Sequence, residues 1–194
     1  MNYTIRAIEL NELLDFYTRI AQDFAEGEYP PFDKLYYQLE NKIQKGWVLV
    51  CDGVDVAYSI CAEGENKNYV LISNIAVYSE YRGKGFGTAF IEQLVNRYSD
   101  SDGIIVEVEK VEDASDDHDK RTREKRIKFY QKSGFHLIPG IEYAIWHIPM
   151  HLMVLPCKAP LGETNQDIGN IIYDIYYALL GKQYIHKMEF RRSQ

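Results

Sequence analysis

A glycine-rich turn between an apolar run and a helical pattern constrains this chain more than any other feature. Residues 69–77 read Tyr-Val-Leu-Ile-Ser-Asn-Ile-Ala-Val, a nearly continuous apolar run that is typical of a strand buried on both faces. Arg-Gly-Lys-Gly-Phe-Gly follows at residues 82–87, and helical spacing begins near Gly85. Such a turn leaves main-chain N–H groups open to an anion, and the helix start adds partial positive charge. The sequence therefore predicts a strand, a phosphate-binding turn and a helix in succession.

The spacing of these glycines excludes two common phosphate loops. A Walker loop requires G-x-x-x-x-G-K-[ST], which this turn does not contain. The dinucleotide fingerprint G-x-G-x-x-G fails because Thr88 stands at the position of its third glycine. The spacing that this turn does contain is Arg-x-x-Gly-x-Gly, over residues 82–87. The alternative interpretation is a tight turn between strand and helix that binds no ligand.

Two segments together resemble the GNAT family of N-acetyltransferases. Residues 74–87, Asn-Ile-Ala-Val-Tyr-Ser-Glu-Tyr-Arg-Gly-Lys-Gly-Phe-Gly, are similar to the family's acetyl-coenzyme-A-binding motif. Residues 129–135, Phe-Tyr-Gln-Lys-Ser-Gly-Phe, are similar to its second signature, Phe-Tyr-x-x-x-Gly-Phe. The resemblance implies an α/β (α+β) fold with a mixed, mostly antiparallel central sheet flanked by helices. We expect the acyltransferase domain over residues 1–155, and a linker and extra C-terminal helix over 156–194 that pack on the same domain.

The resemblance also implies acetyl-coenzyme A as co-substrate and no metal. The main chain of residues 75–77 would pair with the pantetheine amides, or else simply with the next strand of the sheet. The amides of the turn would hold the pyrophosphate, with added charge from its two cationic side chains. The expected cofactor-binding residues are Ile75, Ala76, Val77, Arg82, Gly83, Lys84, Gly85, Phe86, Gly87, Thr88 and Arg126.

Arg126 and its neighbour Arg123 mark a departure from the family pattern. The family usually places an asparagine and a small residue seven and four positions before the signature tyrosine, where this chain has these two arginines. Their guanidinium groups either bind cofactor phosphates or form a solvated basic helix face.

Two residues are the candidates for acid–base catalysis. Tyr130 matches the family's general acid, because a phenol with a pKa of about 10 can protonate a departing thiolate. The alternative role is that of a buried aromatic residue.

Glu107 and Glu109 alternate with valines and so share one face of a strand. We expect Glu107 to take the proton of the incoming ammonium, and a solvated strand face is the alternative.

The composition narrows the partners and the environment. A net charge of -7 argues against general nucleic-acid binding; it suits a cationic substrate, but is also ordinary for a soluble protein. The cysteines at 51, 61 and 157 have no metal spacing and predict free thiols in the cytoplasm. No run is apolar enough for a membrane span, and no signal peptide is recognisable. The acidic segment around His118 lacks calcium-loop spacing and is expected to be mobile.

Apolar periodicity and turn residues predict the order of the elements. The expected strands are 3–8, 47–51, 54–62, 69–77, 103–109, 135–138 and 143–155, the last interrupted at Pro149. The expected helices are 10–24, 33–45, 85–98, 122–133 and 166–180, with residues 110–122 and 156–162 outside regular structure. The Asp52-Gly53 turn predicts a hairpin that pairs Cys51 with Val54, Leu49 with Val56 and Trp47 with Tyr58.

Together these features predict an enzyme that moves acetyl to a primary amine by direct attack in a ternary complex. The acceptor would be a small molecule or a peptide, and the protein would be a monomer or a homodimer. A longer acyl donor is one alternative, and a non-catalytic acyl-coenzyme-A-binding regulatory module is another. A nucleotide kinase is disfavoured because the Walker lysine spacing and a metal-binding carboxylate are missing.

Overall fold

The computed structural model describes residues 2–65 and 68–192. The strands are β1 (Tyr3–Ala7), β2 (Gln44–Cys51), β3 (Val54–Glu63), β4 (Tyr69–Val77), β5 (Gly103–Glu109), β6 (His136–Leu137), β7 (Ile141–Ile145), β8 (Ile148–Pro156) and β9 (Met188–Arg192). The α-helices are α1 (Leu13–Asp23), α2 (Phe32–Glu40), α3 (Phe86–Arg97), α4 (Asp117–Lys132) and α5 (Leu161–Tyr184). The chain forms two compact units, residues 2–62 with 72–96 and residues 63–65 and 68–71 with 97–192.

The first unit contains β1, β2, β3 and the later part of β4, in that order. β2 is antiparallel to both β1 and β3. α1 buries Leu13, Phe16 and Ile20 because these apolar residues recur at helical spacing on one face. The core of this unit consists of Ile8, Leu13, Phe16, Ile20, Leu35, Val48, Tyr58, Ile60 and Tyr78.

The predicted β2–β3 hairpin is present, but its predicted register is wrong beyond the first pair. Cys51 pairs with Val54 as expected, whereas Leu49 pairs with Ala57 and Trp47 with Ser59. A β-bulge between Leu49 and Val50 places one extra residue on β3 and shifts all later pairs by one. The shift leaves Cys61 opposite Lys45, and the three cysteines are free thiols as predicted.

The second unit has β8 at its centre. β8 is antiparallel to β5 along its length and also pairs with β6 and β7, and β9 pairs with β7. The register places Glu107 opposite Leu152. α5 carries an apolar stripe at helical spacing, of which Ile168, Ile172, Ile175 and Leu179 are buried and Ile171 is half-buried. The stripe therefore covers apolar surface within this unit, as its spacing predicts.

α4 begins earlier than its apolar pattern predicts. Residues 110–122 were expected outside regular structure, but the helix starts at Asp117. The side chain of Asp116 accepts a hydrogen bond from the Asp119 N–H at 2.8 Å and caps the helix. Asp119 in turn accepts from the Ser115 N–H at 2.9 Å. The cap and the acidic residues of the first turn thus extend α4 toward its N-terminus, through residues that show no apolar periodicity.

Two other predicted boundaries are wrong for local backbone reasons. α2 ends at Glu40 and β2 starts at Gln44, because Lys42 adopts a left-handed φ of 59° between them. The interruption of the last strands falls at Trp146 and His147, with φ of 52° and 64°, and not at Pro149. Neither reversal contains a glycine, so both lack the Asp-Gly type of signal that marks the β2–β3 turn.

The C-terminal region contains more structure than was predicted. α5 runs from Leu161 to Tyr184, and β9 follows it and pairs with β7 in antiparallel register. Gly181 interrupts the helix with a φ of 68° and a ψ of 176°. β9 was not predicted, because its short sequence Met-Glu-Phe-Arg-Arg is rich in charge.

The expected mixed α/β fold with a mostly antiparallel arrangement and an extra C-terminal helix is confirmed. The pairs β1–β2, β2–β3, β5–β8, β6–β8, β7–β8 and β7–β9 are all antiparallel. Across the part of the chain that the structure describes, no helix combines the length and the apolar character that a membrane span requires.

Candidate active site

The glycine turn has the geometry of an anion-binding loop. Gly83 and Gly85 have φ of 75° and 86°, a left-handed conformation that favours glycine. A Cβ at either position would meet no heavy atom within 4 Å, so the space beside the turn is open. α3 begins at Phe86, and the first N–H groups of a helix have no partner within it. Within the described residues, the turn therefore places a helix N-terminus beside open space, where an anion can approach main-chain amides.

Arg82 is held in place by residues of the same unit. Its Nη2 donates to Asp23 Oδ1 at 2.6 Å, and its Nε donates to the Val77 carbonyl at 3.0 Å. Asp23 Oδ2 also accepts from the Tyr58 hydroxyl at 2.9 Å. The guanidinium is thus fixed beside the glycine turn while its side chain stays 57% exposed. Sequence reasoning missed Asp23, because nothing in its local sequence links it to a residue far along the chain.

The remaining predicted cofactor residues of this unit lie around the same turn. Lys84 Nζ donates to the Glu80 carbonyl at 2.9 Å, which keeps the ammonium close to the turn. Residues 75–77 form the end of β4 and are half-buried. The structure therefore brings together the predicted residues of β4, the turn and the start of α3 in one unit.

Tyr130 lies on α4 in the second unit, with its ring buried. The ring packs against Phe129 and Phe135 with centroids 5.1 and 5.3 Å away. Its hydroxyl forms no hydrogen bond with any residue that the structure describes. Burial raises the pKa of Tyr130 to about 12, and the nearby charge of Arg126 opposes this shift. The phenol is therefore protonated at neutral pH and able to donate.

Both arginines of α4 interact with acidic partners. Arg123 pairs with Asp119 at 2.9 Å and with Glu109 at 3.6 Å, and donates to the Lys110 carbonyl at 2.6 Å. Arg126 forms a closer ion pair with Glu109. The Arg126 side chain is 45% exposed and that of Arg123 only 14% exposed. Glu109 is thus ion-paired with both arginines, and Arg126 is the more accessible of the two cations.

Glu107 has a different environment from Glu109, although both lie on the same face of β5. Its carboxylate accepts hydrogen bonds from the hydroxyls of Tyr143 on β7 and Tyr176 on α5. Burial raises the pKa of Glu107, and the two tyrosine hydrogen bonds oppose the rise. Among the described residues Glu107 has no ion-pair partner, and a carboxylate of raised pKa in such a place is suited to accept a proton.

Tyr143 and Tyr176 were both missed in the sequence. Tyr176 follows Ile172 by four residues, so it continues the apolar stripe of α5 toward the core. A tyrosine at a core position needs a partner for its hydroxyl, and that is the signal that could have identified it. Tyr143 alternates with Ile141 and Ile145 in β7, so the period of a strand places it on the buried face.

The acidic segment around His118 belongs partly to α4. Within the described residues, no group of three or more His, Cys, Asp or Glu side chains could hold a metal ion. His118 is the second residue of α4, within the cap region of that helix.

Comparison with known proteins identifies the fold. The family model of the acetyltransferase (GNAT) domain matches residues 42–137. No curated protein matches the sequence of the chain. A solved structure from Bacteroides thetaiotaomicron, assigned to the GNAT family of acetyltransferases, matches with a TM-score of 0.74 and 18% identity. That match covers 92% of this chain and 98% of the other.

Two further structures have named activities. The ribosomal-protein-S18-alanine N-acetyltransferase from Escherichia coli matches with a TM-score of 0.59 and 20% identity, over 82% of this chain and 96% of that chain. The spermidine N-acetyltransferase from Vibrio cholerae, in complex with CoA and spermine, matches with a TM-score of 0.61 and 15% identity, over 80% and 95%. At these identities the likeness establishes the fold alone.

Proposed function

Because the chain carries an acetyltransferase domain of the GNAT family, we propose that it moves acetyl from acetyl-coenzyme A to a primary amine. The observation that carries this proposal is the glycine turn, with two left-handed glycines before α3 and open space beside them. Free amides at a helix start fit a pyrophosphate, the group that the proposed donor would place there.

Binding of the donor is assigned to two parts of the chain. The amides of residues 83–88 would hold the pyrophosphate, with Arg82 and Lys84 adding positive charge. The main chain of residues 75–77 would pair with the pantetheine amides. Arg126 would contribute its exposed guanidinium to a phosphate, at the expense of its ion pair with Glu109.

Transfer is proposed to occur by direct attack in a ternary complex. Glu107 accepts the proton of the incoming ammonium, directly or through water, because only a neutral amine has a free electron pair for attack. The amine nitrogen forms a bond to the thioester carbonyl carbon, and the carbon–sulfur bond then breaks. Tyr130 donates its proton to the departing thiolate. The nitrogen, which bears a positive charge after attack, loses its second proton to the Tyr130 phenolate and so becomes the neutral amide, and Glu107 returns its proton to solvent. The raised pKa of Tyr130, about 12, keeps this phenol protonated before each turnover.

A cationic amine is the proposed acceptor class. The net charge of -7 favours the approach of a cation through long-range attraction. Two structural neighbours are named for amine substrates, a ribosomal-protein alanine and spermidine. We propose a small-molecule or peptide amine as the acceptor.

A second candidate is a non-catalytic acyl-coenzyme-A-binding regulatory module. It is favoured by one observation, since both oxygens of the proposed base Glu107 already accept tyrosine hydrogen bonds. In this alternative the glycine turn still binds the donor, and no acetyl is transferred.

Calorimetric titration with acetyl-coenzyme A tests the binding step. Gly85→Asp places a carboxylate where the pyrophosphate would lie, and should weaken binding by about 10–100-fold, the equivalent of one charge-assisted bond of about 1.5–3 kcal/mol. Gly53→Asp is the matched control, because Gly53 has a similar φ of 85° and equally open surroundings, but lies in the β2–β3 turn. Equal affinity for the two folded variants would contradict the assignment.

An amine panel then separates the enzyme from the binding module. Release of free coenzyme A is followed with protein lysines, polyamines, aminoglycosides and amino acids as acceptors. The proposed function requires release with at least one amine, with matching acetylation of that amine by mass. Tight donor binding with no release from any acceptor class would favour the regulatory module.

A further inference from the structure

The carboxylate of Glu107 is held by two tyrosines from two other elements. Tyr176 of α5 donates to Oε2 at 2.8 Å and lies 3.0 Å from Oε1, while Tyr143 of β7 donates to Oε1. Both tyrosines are buried, with 8% and 2% of their surface exposed. Two buried hydroxyls that donate to one carboxylate fix its position and its plane.

The residue paired with Glu107 across the sheet is apolar. In register on β8, the residue opposite Glu107 is Leu152. Burial and the two tyrosine hydrogen bonds account for the pKa of Glu107, and no charged side chain of the described residues contributes to it. The proton affinity of this carboxylate is therefore set by desolvation, which raises it, and by Tyr143 and Tyr176, which lower it.

The carboxylate keeps some capacity for a further proton. An ionised carboxylate has about four acceptor positions, two on each oxygen. Tyr143 and Tyr176 both approach Oε1, whereas Tyr176 is the one donor to Oε2 among the residues that the structure describes. Within those residues, the second acceptor position of Oε2 has no hydrogen-bond partner.

We propose that Tyr176 and Tyr143 are positioning residues that hold Glu107 ionised and oriented as the base for acyl transfer. This inference rests on the proposed function. It makes α5 part of the catalytic apparatus, although the helix lies outside residues 42–137 that match the acetyltransferase domain. The helix would then serve catalysis as well as cover apolar surface.

The ionisation of Glu107 gives the first test, independent of turnover. The carboxyl carbon is titrated by NMR in glutamate-labelled protein, with Glu107→Gln to assign the signal. Tyr176→Phe removes one donor and keeps the ring, so the pKa of Glu107 should rise by about one to two pH units. Tyr177→Phe, on the same helix but 37% exposed, should leave it unchanged. An unmoved pKa in Tyr176→Phe would overturn the proposal.

The pH dependence of kcat/KM gives the second test. Because the base must be ionised, the acidic limb of the profile should shift to higher pH in Tyr176→Phe, as the pKa of Glu107 rises. Tyr143→Phe should shift the same limb, which keeps the test decisive if one variant folds poorly. A loss of rate at every pH with an unmoved limb would indicate a structural role and overturn the proposal.

A double-mutant comparison shows whether Tyr176 affects activity through Glu107 or independently of it. If Tyr176 acts only through the carboxylate, Tyr176→Phe should cost no further activity in a Glu107→Gln background. Additive losses would overturn the inference while leaving the acetyltransferase assignment intact. Absence of transfer in the wild-type chain with every amine would instead overturn the proposed function, and this inference with it.

Discussion

At the scale of single residues, the partners of a side chain decide what it can do. Glu107 and Glu109 have the same side chain and lie two residues apart on one strand face. Glu109 meets the guanidinium groups of Arg123 and Arg126, whereas Glu107 meets two neutral phenols. The carboxylate of Glu109 is thus held in ion pairs, whereas burial raises the pKa of Glu107 and the two phenols that hold it carry no charge.

The substitution Tyr130→Phe tests the proposed acid. It removes a hydroxyl that has no hydrogen-bond partner among the described residues and keeps the ring that packs on Phe129 and Phe135. Thermal stability and donor affinity should therefore change little, while kcat falls by about 10²–10⁴-fold. Melting curves, donor titration and turnover with a confirmed amine give the three measurements.

A control tyrosine makes this experiment specific. Tyr173 lies on α5 with 47% of its surface exposed, so Tyr173→Phe should leave all three quantities unchanged. A structural role of Tyr130 would instead show as lost stability with turnover intact in the folded fraction. Wild-type turnover in Tyr130→Phe would exclude it as the acid.

At the scale of elements, local capping and backbone irregularities decide boundaries that hydrophobic periodicity does not show. α4 gains its first turn from the Asp116 cap and from the pairing of Asp119 with Arg123. The β2–β3 hairpin changes register at a bulge, and no residue type at that position predicts a bulge. Elements defined by a clear apolar period, such as α1 and β5, lie where their sequences predict.

Loss of the Asp116 cap should shorten α4 from its start. Asp116→Ala leaves the Asp119 N–H without an acceptor, at a cost of about 0.5–2 kcal/mol of unfolding free energy. Denaturant unfolding measures the change, and amide exchange in residues 117–121 locates it. Asp116→Ser keeps an oxygen acceptor and should stay within a few tenths of a kcal/mol of wild type, since serine is an equally good cap. Equal losses in both variants would contradict the capping role.

At the scale of the whole molecule, the cysteines are dispersed rather than paired. Cys51 lies on β2, Cys61 on β3 and Cys157 just after β8. The first two are buried, and burial raises the pKa of Cys51 and of Cys157. A raised pKa lowers the thiolate fraction and with it the reactivity of the thiol.

Mass spectrometry of the denatured, unreduced protein should therefore find all three cysteines alkylated. Because the thiols are already reduced, a sample treated with reductant before labelling should give the same mass. In the folded protein, labelling should be slow for the buried Cys51 and Cys61. A mass lower by two alkyl groups in the unreduced sample would reveal a disulfide and contradict the dispersed arrangement.

The sequence alone determined the features that depend on local chemistry. The left-handed backbone of the turn requires glycine, so the glycines in the sequence predict the turn. The apolar residues of α5 recur with the period of a helix, so the sequence also predicts its buried face. Only the tertiary structure decided which distant groups meet. The Asp23 contact of Arg82 and the Tyr143 and Tyr176 contacts of Glu107 join residues with no shared local pattern. Such contacts depend on strand register and helix placement, and a single bulge or cap changes both.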